Sequence, residues 1–565
     1  MLKLGGLGFV TLIVLLAACT PPLNQPRDNG TQGAEAQAPR RTLVMAIAPE
    51  PEALSLEIGS AFALVNPVRL FNASLVLLDD REVPRPYLAE AVPELNSETW
   101  KVFPDGRMET IYRLRSGLTW HDGSPLSADD FVLAWDVYRT PDFGVAGRPP
   151  QSEIEQILAP DARTVLITWR GPYAGAGALG SEKSALLALP RHILGHYRDE
   201  GRLAAAANDA YWTREYVGAG PYRLDRWETG SFLEAAAFDG HALGRPKIDR
   251  VKMLFINDPN TVLANALAGE VQVADRSAIR FDTGSTLRQA GMTLLASPSA
   301  VTMTQTQLRP EVARPIALLE LGVRKALAHA VDRQALNDAL FDGEGVLADA
   351  MVPTTLGYYP AIDAAIAKYA YDPRRSEQLM LEAGFTRGGD GVFAHPVHGR
   401  FTFESWQVSR VPNDRELSIM TDGWRRAGFD PQPNVLPPAQ ILNHEFKTTI
   451  PGVMTTGSGA DEGSLRQLST AGIPTAENRW SGGTNFGGWS DAEYDGLLDT
   501  FNRTLERGER ARLVAQMMRR VTDQLPWIFL YYSLAPTAHI AALQGPQAAT
   551  PDRPSTWNVH EWEWQ

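Results

Sequence analysis

The sequence predicts an α/β fold, and three observations carry the prediction. Helix starts with capping chemistry alternate with short β-branched runs along most of the chain, hydrophobic and charged residues stand at 44% and 21%, and no fixed-period repeat appears. The 565 residues hold about three or four domains' worth of chain. Fifty-three basic against 66 acidic side chains leave a net charge of −13, and basic residues occur in pairs such as Arg40-Arg41 and Arg519-Arg520 rather than in a patch. Such a field repels a polyanion, which excludes nucleic acid as a partner.

Residues 1–18 read as a secretory signal peptide, one cation at Lys3 followed by an apolar run too short to span a bilayer. Leu16-Ala17-Ala18-Cys19 is similar to a bacterial lipobox, so Cys19, the only cysteine, is expected to carry a lipid anchor. One cysteine also excludes a Cys-based zinc site or an iron–sulfur cluster. Residues 19–41, rich in Pro, Gly, Gln and Asn, form a flexible leash. Thr42 opens the first strand-like run, TLVMAIA, ended by Pro49. Ser127 with Asp130 makes a capping box ahead of Phe131, Ala134, Trp135 and Tyr138 on one helix face. Asp258-Pro259 and Asp372-Pro373 cap two further helices, with Gly269 and Gly384 as their left-handed stops. Ser490 with Glu493 reads as another capping box, and Arg250–Ile256, Val271–Ala274 and Trp527–Tyr532 read as strands between the helices.

Five stretches in order then resemble the extracytoplasmic solute-binding proteins of ABC importers, in the family of oligopeptide-, dipeptide- and nickel-binding proteins. They are Leu114–Val132 (LRSGLTWHDGSPLSADDFV), Val217–Leu224 (VGAGPYRL), Phe255–Asp275, Val323–Asp332 (VRKALAHAVD) and Tyr371–Phe385. The resemblance implies a two-lobed periplasmic-binding-protein fold with hinge strands and an extra subdomain in the first lobe. It places lobe I in 42–70, 212–295 and 525–565, the subdomain in 71–211 and lobe II in 296–524. It further implies a monomer without a cofactor, at the outer face of a bacterial membrane, serving an ABC permease.

Read by their chemistry, the same residues are structural: His121 beside Asp122 is turn chemistry, and Gly218, Gly220 and Pro221 open a strand rather than cradle a phosphate. No GxSxG elbow is present, so a hydrolase is the distant alternative. His192 and His196 share a helix face at a two-His spacing but lack the Glu of a zincin, and no metal site is assigned. Trp406, Trp480 and Trp489 stand beside polar residues in turn-rich or strand-edge context, where an amphipathic ring lines a wet cleft, and Asn485 lies between the last two. In peptide-binding relatives an aspartate in the tract matching Thr455–Gly463 receives the ligand's ammonium group, and Asp461 matches it. Gly459 and Ala460 stand where those relatives often carry an aromatic residue. A helix-capping role for Asp461 remains the alternative, as does a non-peptide ligand such as an oligosaccharide, an opine or a chelated metal.

Overall fold

The computed structural model describes residues 42–55, 69–79, 82–180, 185–408, 413–481, 483–550 and 554–565. The leader, Cys19 and the leash lie outside the described residues. The strands that matter here are β1 (Thr42–Ile47), β2 (Trp100–Val102), β3 (Met108–Arg113), β4 (Ile154–Asp161), β5 (Thr164–Trp169), β6 (Tyr222–Glu228), β7 (Phe232–Ala237), β8 (Arg250–Phe255), β9 (Val273–Ala274), β10 (Thr293–Thr306), β11 (Thr402–Val408), β12 (Asp430–Leu436), β13 (Val453–Gly459) and β14 (Trp527–His539). The helices are α1 (Ala128–Tyr138), α2 (Arg191–Asp199), α3 (Pro259–Leu267), α4 (Phe281–Gln289), α5 (Leu321–His329), α6 (Arg333–Phe341), α7 (Pro373–Glu382), α8 (Asn413–Ala427), α9 (Ala492–Arg503) and α10 (Arg507–Gln524).

One sheet runs through the molecule in the order β12-β11-β13-β10-β14-β9-β1-β8-β7-β6. Its middle is the long antiparallel pair β10 and β14, in register from Thr293 opposite His539 to Gln305 opposite Trp527. At one end β14 passes the sheet to β9 and β1, and at the other β10 passes it to β13 and β11. The pairing shifts between Pro298 and Ala300 and again between Thr302 and Met303, and such bulges bend and twist a strand. The apolar cores follow this division. One gathers residues from Leu43 to Val273 together with Leu543, Val559 and Trp562, and two others gather residues from Phe281 to Tyr532. A separate antiparallel sheet, β2-β3-β5-β4, packs with α1 in the first half.

Local chemistry explains most helix starts. Ser127 and Asp130 form the expected capping box of α1, and Asp258 and Asp372 cap α3 and α7 through the N–H groups of Asn260 and Thr261, and of Arg374 and Arg375. For α9 the cap is Asp491 rather than Ser490: its carboxylate accepts from Tyr494 N at 2.8 Å, while Ser490 Oγ bonds Thr470 Oγ1 at 2.9 Å. A carboxylate one position on is the stronger cap because its acceptor is charged.

The His121 turn and the Gly218–Pro221 stretch prove to be one device. His121 Nδ1 accepts from Gly218 N at 3.1 Å and Nε2 donates to Gly220 O at 3.0 Å, which fixes the neutral ring. A Cβ on Gly218 would lie 1.9 Å from Phe71 O, and one on Gly220 2.4 Å from Phe71 C, so close backbone approach demands both glycines. His192 turns to Asp122 at 2.6 Å and His196 Nδ1 meets Ile193 O at 2.9 Å.

Where β14 begins, Arg324 of α5 is buried. It donates to Gln524 O at the end of α10 from Nε (3.1 Å) and Nη2 (2.9 Å), and from Nη1 to Leu318 O (3.0 Å) and Leu319 O (2.7 Å). Burial lowers its pKa to about 10, still charged at neutral pH, and a cation at a helix C-terminus complements the helix dipole.

Candidate functional site

The strand order itself locates two crevices. In the second half β11 is parallel to both neighbours; the chain leaves β11 through α8 to reach β12 on one side and returns as β13 on the other. In the first half β1 is parallel to β8 and β9 on its two sides, with α3 between those strands in sequence. Connections that diverge in this way open a crevice at the carboxyl ends of the strands. The first crevice lies at Ala48 and Asp275–Ser277, the second at Val408, the first turn of α8, and Gly459–Glu462.

At the first crevice Asp275, fully buried, accepts from Ser277 N (2.9 Å) and Oγ (2.7 Å) through Oδ1, and from Ser555 Oγ (2.8 Å) through Oδ2. Ser277 Oγ in turn accepts from Ala48 N at 3.1 Å, so this carboxylate ties three segments together.

At the second crevice Asp461 follows directly on β13. It is buried and caps the short helical turn Glu462–Leu468, accepting from Ser464 N at 2.8 Å and Ser464 Oγ at 3.2 Å. Trp406 on β11 is half-buried; its Nε1 donates to Glu404 Oε2 at 2.6 Å and its ring meets Phe446 edge-on at 5.7 Å. Trp480 is half-buried at φ 61°, preceded by Arg479 at φ 54°, a left-handed pair of bulky residues that costs energy and is held by Trp480 N to Thr475 O at 2.8 Å. Asn485 and Trp489 sit deeper. The Asn485 amide donates to Leu468 O, Ser469 O and Trp489 O and accepts from Trp489 N, binding the loop to itself. The Trp489 indole donates to Gln524 Oε1 at 3.2 Å and packs on Tyr494, inside the core.

Two groups escaped the sequence reading. Glu416, the fourth residue of α8, is 2% exposed, and Gln407 Nε2 donates to its Oε2. Burial pushes the Glu416 carboxyl up to about 7. The available signal was the inward face of β11, which reads Phe403, Ser405, Gln407 where an apolar run is usual. The second group is the Glu462–Arg510 ion pair at 2.5 Å, which also takes a hydrogen bond from the Tyr358 hydroxyl; Arg510 lies 3.7 Å over the Phe501 ring. This network faces the first half: Leu505 packs against that half's core, and the Arg510 guanidinium opposes the upward push of burial and of Glu153 on the Tyr173 phenol.

The model of the bacterial extracellular solute-binding proteins, family 5, matches residues 90–474. The chain belongs to this family. Among relatives of this family-5 protein, the oligopeptide-binding protein AppA of Bacillus subtilis (strain 168) is 21% identical over 544 residues, covering 94% of this chain and 93% of AppA. The glutathione-binding protein GsiB of Pectobacterium atrosepticum is 25% identical over 466 residues, covering 80% and 82%. The solved structure of NikA from Brucella suis in complex with Fe(III)-EDTA superposes with a TM-score of 0.75 at 16% identity, covering 93% of this chain and all of NikA. That likeness shows the two-lobed α/β fold. As a family-5 member the protein is an extracytoplasmic solute-binding component of ABC import, and the named relatives are binding proteins rather than enzymes. Among the described residues no helix is long and apolar enough to cross a membrane.

Proposed function

We propose that the protein captures an oligopeptide between its two lobes and delivers it to an ABC permease as a monomer, held at the outer face of the membrane by a lipid on Cys19. The observation that carries the peptide reading is the place of Asp461, at the carboxyl end of β13 in the second crevice, next to the Glu462–Arg510–Tyr358 network. An acidic group there suits a ligand ammonium, and a cleft that recognises main-chain groups tolerates varied side chains. Trp406 and Trp480 are the aromatic contacts of this reading, with Asn485 and Trp489 supporting the loop behind them. The lobes divide as 42–70, 212–295 and 525–565 against 296–524, with 71–211 as the subdomain of the first. A non-peptide ligand is the second reading, favoured by Gly459 and Ala460 beside Asp461, which leave no aromatic platform.

The test is titration calorimetry with a peptide and its N-acetylated form, preceded by native mass spectrometry to identify a co-purified ligand. Removing one partner of a buried charge pair costs about 2–5 kcal/mol. Asp461→Asn therefore weakens the free peptide by one to several decades and the acetylated form little, at about 1.4 kcal/mol per decade. Normal peptide binding by the variant, or no peptide binding by the parent, refutes the assignment.

A further inference from the structure

Glu416 and Gln407 present an unbalanced pair. Gln407 Nε2 donates to Glu416 Oε2, while the two other oxygens, Glu416 Oε1 and Gln407 Oε1, are both buried without a hydrogen-bond partner. Ser405 Oγ, two residues back on the same strand face, is buried and unpartnered as well. An amide carbonyl and an ionised carboxylate are both acceptors and cannot satisfy each other. An ionised Glu416 would also be a charge almost wholly removed from water, which costs several kcal/mol unless a cation compensates.

No cation compensates among the described residues. On α8 itself Arg415 donates to Ala339 O and Asp422 pairs with Arg425. On α6, packed beside α8, Arg333 pairs with Asp349 and Asp338 accepts from Gln334. Glu404 on β11 accepts from Trp406, and Thr455 on β13 with Thr304 on β10 contributes hydroxyls. The titratable group that reaches Glu416 is the Tyr531 phenol of β14, itself neutral, its pKa raised first by burial and then by Glu416; its hydrogen bond to the carboxyl, like that of Gln407, favours the ionised form, and burial outweighs both.

We propose that Glu416 carries a proton in the resting protein, closing a two-bond acid–amide pair with Gln407, and that this pair makes the crevice end of the second lobe proton-linked. A proton on Oε1 turns that oxygen into a donor and satisfies both orphaned acceptors at once. The first-turn position on α8 favours the ionised form and burial disfavours it, and a carboxyl pushed up to about 7 says that burial wins. Loss of the proton sets a bare carboxylate between β11 and the start of α8, where relief requires water or movement of that first turn. This rests on the fold alone and not on the ligand.

The sign follows from linkage. The folded state holds the proton and the unfolded state releases it near the ordinary glutamate value, so stability is lost as pH rises from about 4.5 to about 7. Thermal melts of the empty protein and of Glu416→Gln from about pH 5 to about pH 8.5 read this directly. The glutamine amide donates to Gln407 as the acid does, so the two proteins melt together at the acid end and the variant melts higher at the alkaline end. Infrared spectra add a protonated-carboxyl band at about pH 6 that Glu416→Gln lacks. Parallel melts across the whole range, or no band that depends on Glu416, overturn the proposal. Should Glu416→Gln fail to fold, Gln407→Leu decides: it deletes both the amide donor and the acceptor of the acid proton, so the midpoint of the band's titration moves, and an unchanged midpoint refutes the pair.

Discussion

Arg324 offers the sharpest test of how the crossing strands are held. Its guanidinium makes four hydrogen bonds to three carbonyls, one buried and two part-buried, two of the bonds going to Gln524 O, the last residue of α10 and three residues before β14 begins. Arg324→Met keeps much of the apolar stem and removes every donor. Each carbonyl left unsatisfied costs about 1–3 kcal/mol, and the lost cation at the end of α10 adds up to about 2 kcal/mol. Against this, the buried guanidinium no longer has to be desolvated, a relief of a few kcal/mol. The balance is a loss of about 3–5 kcal/mol, in the range measured when one partner of a buried charged network is removed. Arg324→Lys retains charge but presents a compact ammonium that cannot bridge both Gln524 and the Leu318–Leu319 turn, and loses about half as much. Urea unfolding followed by tryptophan fluorescence measures both, Trp527 lying three residues beyond Gln524. If Arg324→Met unfolds within about 0.5 kcal/mol of the parent, the carbonyl cluster is not what fixes the start of β14.

Acid should destabilise the first half through two buried histidines and a half-buried one. His121, His241 and His560 are all lowered to about 4 by burial, His241 is held neutral between Tyr87 OH and Gly244 O at 2.8 Å each, and its ring lies 5.2 Å from that of His560. Their contribution is complete above about pH 6.5 and is lost as pH falls toward about 4, up to about 3 kcal/mol each; His241→Gln should flatten that limb of a melting-temperature profile. Gly220→Ala must move the backbone at Phe71 and should cost about 3 kcal/mol or more, seen as loss of folded yield. Arg510→Ala removes the partner of Glu462 at the rim between the lobes and should enlarge the radius of gyration in X-ray scattering with little change in helix content; identical scattering would show that the network does not hold the lobes. Cys19→Ser should release the protein from membrane fractions, and continued sedimentation with membranes would count against the lipid anchor.

The parts of the fold legible in the sequence are those whose causes are local. Asp258 and Asp372 announce helices because capping is decided within three residues, and His121 reads as turn chemistry because the Gly and Pro around it already fix the backbone. The crossing strands were not legible in full. β14 reads as a strand only over Trp527–Tyr532 and β10 is not read as a strand at all; each carries a proline, Pro536 and Pro298. Pro298 is tolerated beside a shift of register, and Pro536 stands in a stretch of β14 that β9, paired only at Ala538 and His539, does not reach, which no local pattern encodes. Glu416 was hidden for the opposite reason: an acid in a first helical turn is ordinary in sequence, and its burial depends on β11, β14 and α6 arriving around it. Asn485 was marked for the crevice because its loop is; its amide is instead the knot of that loop, a distinction that requires knowing which carbonyls it meets.

The same irregularities decide how the lobes can move. Each half has its own apolar core, and β10 with β14 joins them through two breaks in register. A bend at those bulges leaves the ladders on either side intact, so rotation there costs less than shearing either core. Helix α4 lies against both crossing strands and is fixed toward the second half by Ser285 Oγ on Asp342 at 3.0 Å and by Arg288 bidentate on Glu344 at 2.7 Å. Such a clamp restricts bending to the strand segment that α4 does not hold, near Ala300 to Met303, beside the end of β13 where Ala300 faces Gly459. Asp461 is two residues further on. Bending at the bulges therefore changes the setting of the second crevice directly, and a ligand that touches Asp461 biases the lobes through the strand pair to which that crevice is anchored.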